Sequence, residues 1–94
     1  MEQKLQIYEK IVSYLKQYDV NKISVFGSYA NDKETEKSDL DLLVEFKKQL
    51  SLLKYAEIEQ NLSEYIGIKV DLLTEASISP YILKEIENNL KVIY

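Results

Sequence analysis

The chain contains no cysteine, no histidine and no arginine, and only two glycines and one proline among its 94 residues. Without cysteine there is neither a disulfide framework nor a thiolate zinc site. Without histidine the usual imidazole base, the Ser/His triad and most catalytic zinc schemes are lost. All 12 cationic residues are lysine, so no bidentate guanidinium fork is available, and anions have to be met by backbone amides, metal ions or lysine. Carboxylates are left as the principal catalytic groups. The low glycine and proline content beside 46% apolar residues excludes collagen, linker and disordered classes and argues for a chain rich in regular structure. No stretch approaches the roughly 20 apolar residues that cross a bilayer, and the segment Met1–Gln6 lacks the apolar core of a secretory signal, so a soluble cytoplasmic protein is expected.

What is present narrows the class further. Ninety-four residues suit a single domain, residues 1–94, with one modest core, and leave no room for a separate substrate domain. A net charge of -4 and a pI near 4.8 argue against long DNA or RNA as a partner.

Leu5, Tyr8, Ile11, Val12, Leu15 and Tyr18 recur at helical spacing, which predicts an amphipathic helix over 2–18, interrupted by Asp19 to Lys22. Ile23 to Phe26 reads as a short strand that stops at the turn Gly27-Ser28. The polar run from Tyr29 to Lys37 suits a short helical turn and then a solvent loop. Asp39 to Phe46 alternates, with Leu40, Leu42, Val44 and Phe46 on a core side and Asp39, Asp41, Leu43 and Glu45 on a wet one. Ser51 caps a second long helix that Gly67 ends, and Ile68 to Thr74 alternates again, pointing Asp71 away from the core face. Ser79-Pro80 opens a last helix with Leu83, Ile86 and Leu90 as its apolar stripe, and Lys91 to Tyr94 forms a short edge strand. The predicted fold is α+β, a small sheet with helices on its apolar face and three acids on the other.

Asp39 and Asp41, two apart on one strand, share a face of the pleat with a third acid, Asp71, from another strand. Carboxylates about 4 Å apart at an effective dielectric near 20 repel by roughly 4 kcal/mol, so such a cluster takes up protons or a cation. With oxygen donors only, the fitting metal is hard and octahedral, Mg²⁺ or Mn²⁺, which keeps sites open for phosphate oxygens. Gly27-Ser28 is the complementary half, because glycine lets the backbone approach a phosphate and the following amides and hydroxyl can donate to it. Lys33 and Lys37 adjoin the turn and could reach a phosphate, although a solvated loop charge is the better explanation for each.

Gly27-Ser28, then Ser38-Asp39-Leu40-Asp41-Leu42-Leu43-Val44, then Val70-Asp71-Leu72-Leu73 resemble the minimal nucleotidyltransferase (MNT) family of the polymerase β-like superfamily, over nearly the whole chain. The resemblance implies a small mixed sheet and transfer of the nucleoside monophosphate of a triphosphate, usually ATP, to a hydroxyl under two metal ions. Gly27 and Ser28 would hold the triphosphate, Asp39 and Asp41 would bridge the metals, and Asp71 would ligate one and help activate the acceptor. Members commonly read Gly-Ser-x-Ala-Arg-Gly at the turn, whereas here Ala30 is followed by Asn31-Asp32, so a neutral amide stands in place of the arginine.

The family's best-known setting is the HEPN/MNT toxin–antitoxin pair, in which the MNT protein binds a HEPN-domain RNase and attaches AMP to a tyrosine. It implies an antitoxin adenylyltransferase in a hetero-oligomer or homodimer; the alternative is a catalytically weak or inactive module that neutralises the toxin by binding. Taken singly, each acid is more often just a solvated strand face, and it is the three elements in this order that favour the metal–nucleotide reading. Of the eight tyrosines, Tyr8, Tyr18, Tyr55 and Tyr65 are explained by helix packing, and Tyr29 alone is a candidate for nucleotide contact. Glu2, Glu9, Glu57, Glu59 and Glu64 read as ordinary helix surface.

Overall fold

A computed structural model describes residues 4–94 of the chain. The expected helix start at residue 2, and Glu2 with it, lies outside the described residues. The first helix, α1 (Lys4–Leu15), buries Ile7, Tyr8, Ile11 and Leu15, the i, i+4 stripe of its sequence. Its expected last turn tightens into a 3-10 turn, Lys16–Tyr18, closed by Asp19 in the left-handed region at φ 57°.

Strand β1 (Val20–Phe26) begins three residues earlier than the pattern suggests, because its register against β2 (Leu40–Phe46) is broken between Val20 and Lys22. Asn21 and Lys22 are both exposed there, so the sequence reads as loop where the chain is already paired. The second helix, α2 (Leu52–Ile66), starts at Ser51, whose side chain accepts from the amide of Lys54, and ends at Gly67, φ 74°, whose amide donates to Ser63 O. It carries the chain across to β3 (Val70–Leu73), which lies parallel to β2. After an unforeseen 3-10 turn, Glu75–Ser77, Ser79 caps α3 (Pro80–Glu87) and the chain closes on a two-residue edge strand, β4 (Lys91–Val92), antiparallel to β1. The strand order is β3-β2-β1-β4, a mixed sheet of the expected α+β kind.

Ile11 and Leu15 of α1 and Ile58 and Leu62 of α2 are fully withdrawn from water, together with Ile23, Val25, Leu40, Leu42 and Val70 of the sheet. Burying each such side chain contributes roughly 1.5–3 kcal/mol, and this shared layer sets the register of the strands. The opposite face of the sheet is not uniformly wet. Leu43, expected beside the acids, is buried, and so is its partner Ser24 on β1, so that this face is dry in its middle and polar at the end where Asp41 and Asp71 stand. By contrast α3 buries none of its residues, and its stripe Leu83, Ile86 and the following Leu90 is only half-covered.

Candidate active site

The parallel pairing of β2 with β3 sets Leu40 against Val70 and Asp41 against Asp71. Since the leucine and valine of that register belong to the core, the pleat turns both aspartates to the other face, side by side. Partial burial, then the charge of Asp71 and a hydrogen bond with it, then the charge of Asp39, push the Asp41 carboxyl up to about 6. Asp39 stands just before β2 and is half-buried, with its Oδ2 3.7 Å from Lys69 Nζ. The structure therefore joins Asp41 and Asp71 closely and keeps Asp39 at their flank. Among the described residues no three acidic side chains are arranged to hold one ion between them.

Asp71 sits on an edge strand, and its neighbours are held from outside. The amide of Val70 donates to Ser63 Oγ at 2.9 Å and that of Leu72 to Glu59 Oε2 at 2.8 Å, while the Ser63 hydroxyl donates to Glu59 O at 2.7 Å. These α2 side chains satisfy backbone donors on both sides of Asp71 and close the exposed edge. Glu59, read from the sequence as ordinary surface, is thus a structural acceptor. A glutamate on the polar border of an amphipathic helix carries no local mark of such a role, because the amide it meets is 13 residues away.

The turn after β1 completes the site. Phe26 pairs with Asp41, so Gly27 follows directly beside the acid. Gly27 has φ 74°, and a Cβ placed on it would collide with Asp41 Oδ2 and lie 3.4 Å from Cγ. Only glycine brings the backbone this close to the carboxylate. The chain then folds back through bonds from the amide of Asn31 to Gly27 O, 3.2 Å, and from that of Lys33 to Ser28 O, 2.9 Å. Residues 27–32 form turns and not the short helix expected there, so this segment directs no helix dipole at the site. Tyr29, the tyrosine singled out for nucleotide contact, is buried in the core cluster and anchors the turn from below. Lys33 and Lys37 are exposed.

The donor set suits a hard divalent cation. It is all oxygen, and its crowding raises the proton affinity of Asp41, the same repulsion that a divalent cation would relieve. The tight bend of Gly27 beside those carboxylates is a cradle that a side chain would fill. Asp39 would have to exchange its lysine partner for the ion. Two grooves, of about 530 and 700 Å³, lie elsewhere, between α1 and β4 and beside the C-terminal end of β2. They contain none of these aspartates.

The model of the nucleotidyltransferase domain family matches residues 8–93. A Methanocaldococcus jannaschii protein, provisionally named a protein adenylyltransferase, is 47% identical over 87 residues, which cover 92% of this chain and 87% of that protein. Among solved structures, a toxin–antitoxin crystal structure with AMP-PNP superposes with a TM-score of 0.84 at 25% identity, covering 93% of this chain and 72% of that one. A chain from the complex of a tri-AMPylated Shewanella oneidensis HEPN toxin with MNT antitoxin gives a TM-score of 0.80 at 22% identity, over 98% of this chain and 72% of that one, a likeness of fold.

Proposed function

The chain belongs to the nucleotidyltransferase domain family, and from that premise we propose that it transfers AMP from ATP to a tyrosine hydroxyl of a cognate HEPN-domain toxin and so acts as its antitoxin. The observation that carries this reading is the in-register pair Asp41 and Asp71 lying against the Gly27 bend. In the reaction the acceptor oxygen forms a bond to the α-phosphorus, pyrophosphate leaves, and the hydroxyl proton passes to the carboxylate side of the site. Gly27 lets the backbone meet the triphosphate, and the Ser28 hydroxyl with the early amides of the turn donates to its oxygens, since those of Asn31 and Lys33 are spent within the turn. Asp71, steadied through Val70 and Leu72 by α2, orients the acceptor and takes its proton. Mg²⁺ or Mn²⁺, which Asp41 and Asp71 would hold together with Asp39 once Asp39 turned in from Lys69, would supply positive charge to the entering and leaving oxygens. The chain works as one minimal domain in the cytoplasm, and the toxin brings the acceptor.

ATP labelled at the α-phosphate, with Mg²⁺ and a cognate HEPN-domain protein, should label that partner, and Asp39→Asn with Asp41→Asn should reduce transfer by about a thousandfold or more, the scale of several kcal/mol in a barrier. Failure of the intact protein to label its partner would end this reading. Two observations favour a second one, an inactive module that neutralises by occlusion: Asn31-Asp32 occupies the place of the family's Arg-Gly, and Asp39 faces Lys69. In that case the double variant still rescues cells from the toxin, and calorimetry detects no ATP binding with Mg²⁺.

A further inference from the structure

Lys4 opens α1, far in sequence from the site, and its ammonium is committed entirely to the segment after Ser28. Nζ donates to Tyr29 O at 3.1 Å and to Asp32 Oδ1, which lie 25 and 28 positions downstream, and it is ion-paired with Glu34 Oε1 at 2.7 Å. Two of the ammonium's donors go to this loop as hydrogen bonds, and Glu34 of the same loop faces it as an ion pair. The Lys4 and Glu34 side chains retain 25% and 26% of their exposure whereas Asp32 keeps 85%, so the arm to Glu34 is shielded from water and the arm to Asp32 is solvated. The same ammonium stands 5.9 Å from the centre of the buried Tyr29 ring. Burial works against the charge, yet the bonds to Asp32 and Glu34 outweigh it and hold the Lys4 pKa above the usual range.

We propose that Lys4 is a positioning residue for the nucleotide turn, latching α1 to residues 29–34 so that Ser28 and its neighbouring amides are already arranged when the triphosphate arrives. The proposal rests on the reading of Gly27-Ser28 as the triphosphate site. Two physical effects combine. Tyr29 O belongs to the peptide that follows Ser28 by one residue, so fixing it restricts the rotation of the peptide planes that would face phosphate. Asp32 occupies the left-handed region at φ 56° without being glycine, a conformation costing about 1 kcal/mol or more that a charged hydrogen bond can hold. The latch also offsets one of the two negative charges of Asp32 and Glu34, carboxylates that would otherwise repel an incoming nucleotide more strongly. Preorganisation of this kind appears in affinity for the nucleotide and leaves the chemical step largely untouched.

Lys4→Met and Lys4→Arg, made in the full chain, test this by two readouts. Amide hydrogen exchange of the nucleotide-free protein should quicken in residues 27–34 for Lys4→Met while the core of α1 and the sheet keep their protection. In AMP transfer to the HEPN partner, Lys4→Met should raise KM for ATP about tenfold, the scale of one charge-assisted hydrogen bond, with kcat within about twofold; Lys4→Arg should recover most of both. Unchanged exchange in 27–34, loosening spread through the whole chain, or a loss confined to kcat would overturn the latch. A wild-type protein that transfers nothing would instead defeat the transferase reading, leaving the exchange result to decide on Lys4.

Discussion

The two glycines of this chain adopt the same backbone angle, φ 74°, at the ends of two different elements, and they do so for opposite reasons. Gly67 ends α2 in open space, where an added Cβ would meet nothing within 4 Å, and its conformation serves only to return its amide to Ser63 O. Gly27 ends β1 against Asp41, where the same added carbon strikes the carboxylate. One glycine answers a local demand of helix termination, the other a contact made by a residue fourteen positions away. A positive φ therefore marks where glycine is required without telling why, and the neighbour supplied by the fold distinguishes a cap from a site.

Alanine at the two positions should separate these roles most sharply. Gly27→Ala is expected to displace the Asp41 carboxylate and lower AMP transfer by about a hundredfold or more, since displacements near 1 Å in a reacting site cost on that order. Gly67→Ala should leave transfer intact and cost about 1–2 kcal/mol in urea denaturation, the price of a left-handed alanine. Equal effects of the two on transfer would break the contrast.

The acid side of the comparison is sharpened by pH. The Asp41 carboxyl, raised from 3.8 to about 6, binds its proton more tightly in the folded protein than in the unfolded chain. The stability it contributes is complete below about pH 4 and is lost as pH rises through about 6. Without divalent metal, the protein should be less stable near pH 7.5 than near pH 5 by at most about 1 kcal/mol from this group, allowing for its partial exposure. Asp41→Asn should flatten that part of the profile, and Mg²⁺ should restore stability at the higher pH in the parent protein. A difference that survives Asp41→Asn would assign it to other groups.

The smallest effect joins the two regions. Ser63 accepts the amide of Gly67 through its carbonyl and that of Val70 through its hydroxyl, so the helix end and the acid strand share one residue. Ser63→Ala should cost about 1 kcal/mol, the scale of one lost hydrogen bond, and speed amide exchange at Val70 more than at Gly67.

Much of this architecture was legible in the residues. Alternation around Asp41 and Asp71 put both acids on a face away from the core, and Ser51, Gly67 and Ser79-Pro80 marked helix boundaries where they are found. The misses share a cause. The start of β1 was hidden because the irregular pairing after Val20 leaves Asn21 and Lys22 exposed. The parity of Leu43 with Asp41 places it on the wet side, yet the middle of that face is covered. Glu59 reads as an ordinary charge on an amphipathic helix, and nothing near Lys4 in sequence marks it, since the partners of both are remote along the chain. The well-marked stripe of α3 buries no residue at all, because amphipathicity states which side of a helix can be covered and not whether anything covers it.

Composition excluded imidazole, thiolate and guanidinium chemistry outright, and short-range rules placed the helix caps, the bends and the acidic strands, because steric limits and hydrogen bonds among near neighbours act before the chain has folded. The pairing of Asp41 with Asp71, the bend of Gly27 beneath a carboxylate and the latch of Lys4 onto residues 29–34 have no such local origin. They follow from strand register and helix docking, which are set by the packing of Ile11, Leu42, Leu62 and their neighbours into one dry layer, an arrangement that exists only when distant segments meet.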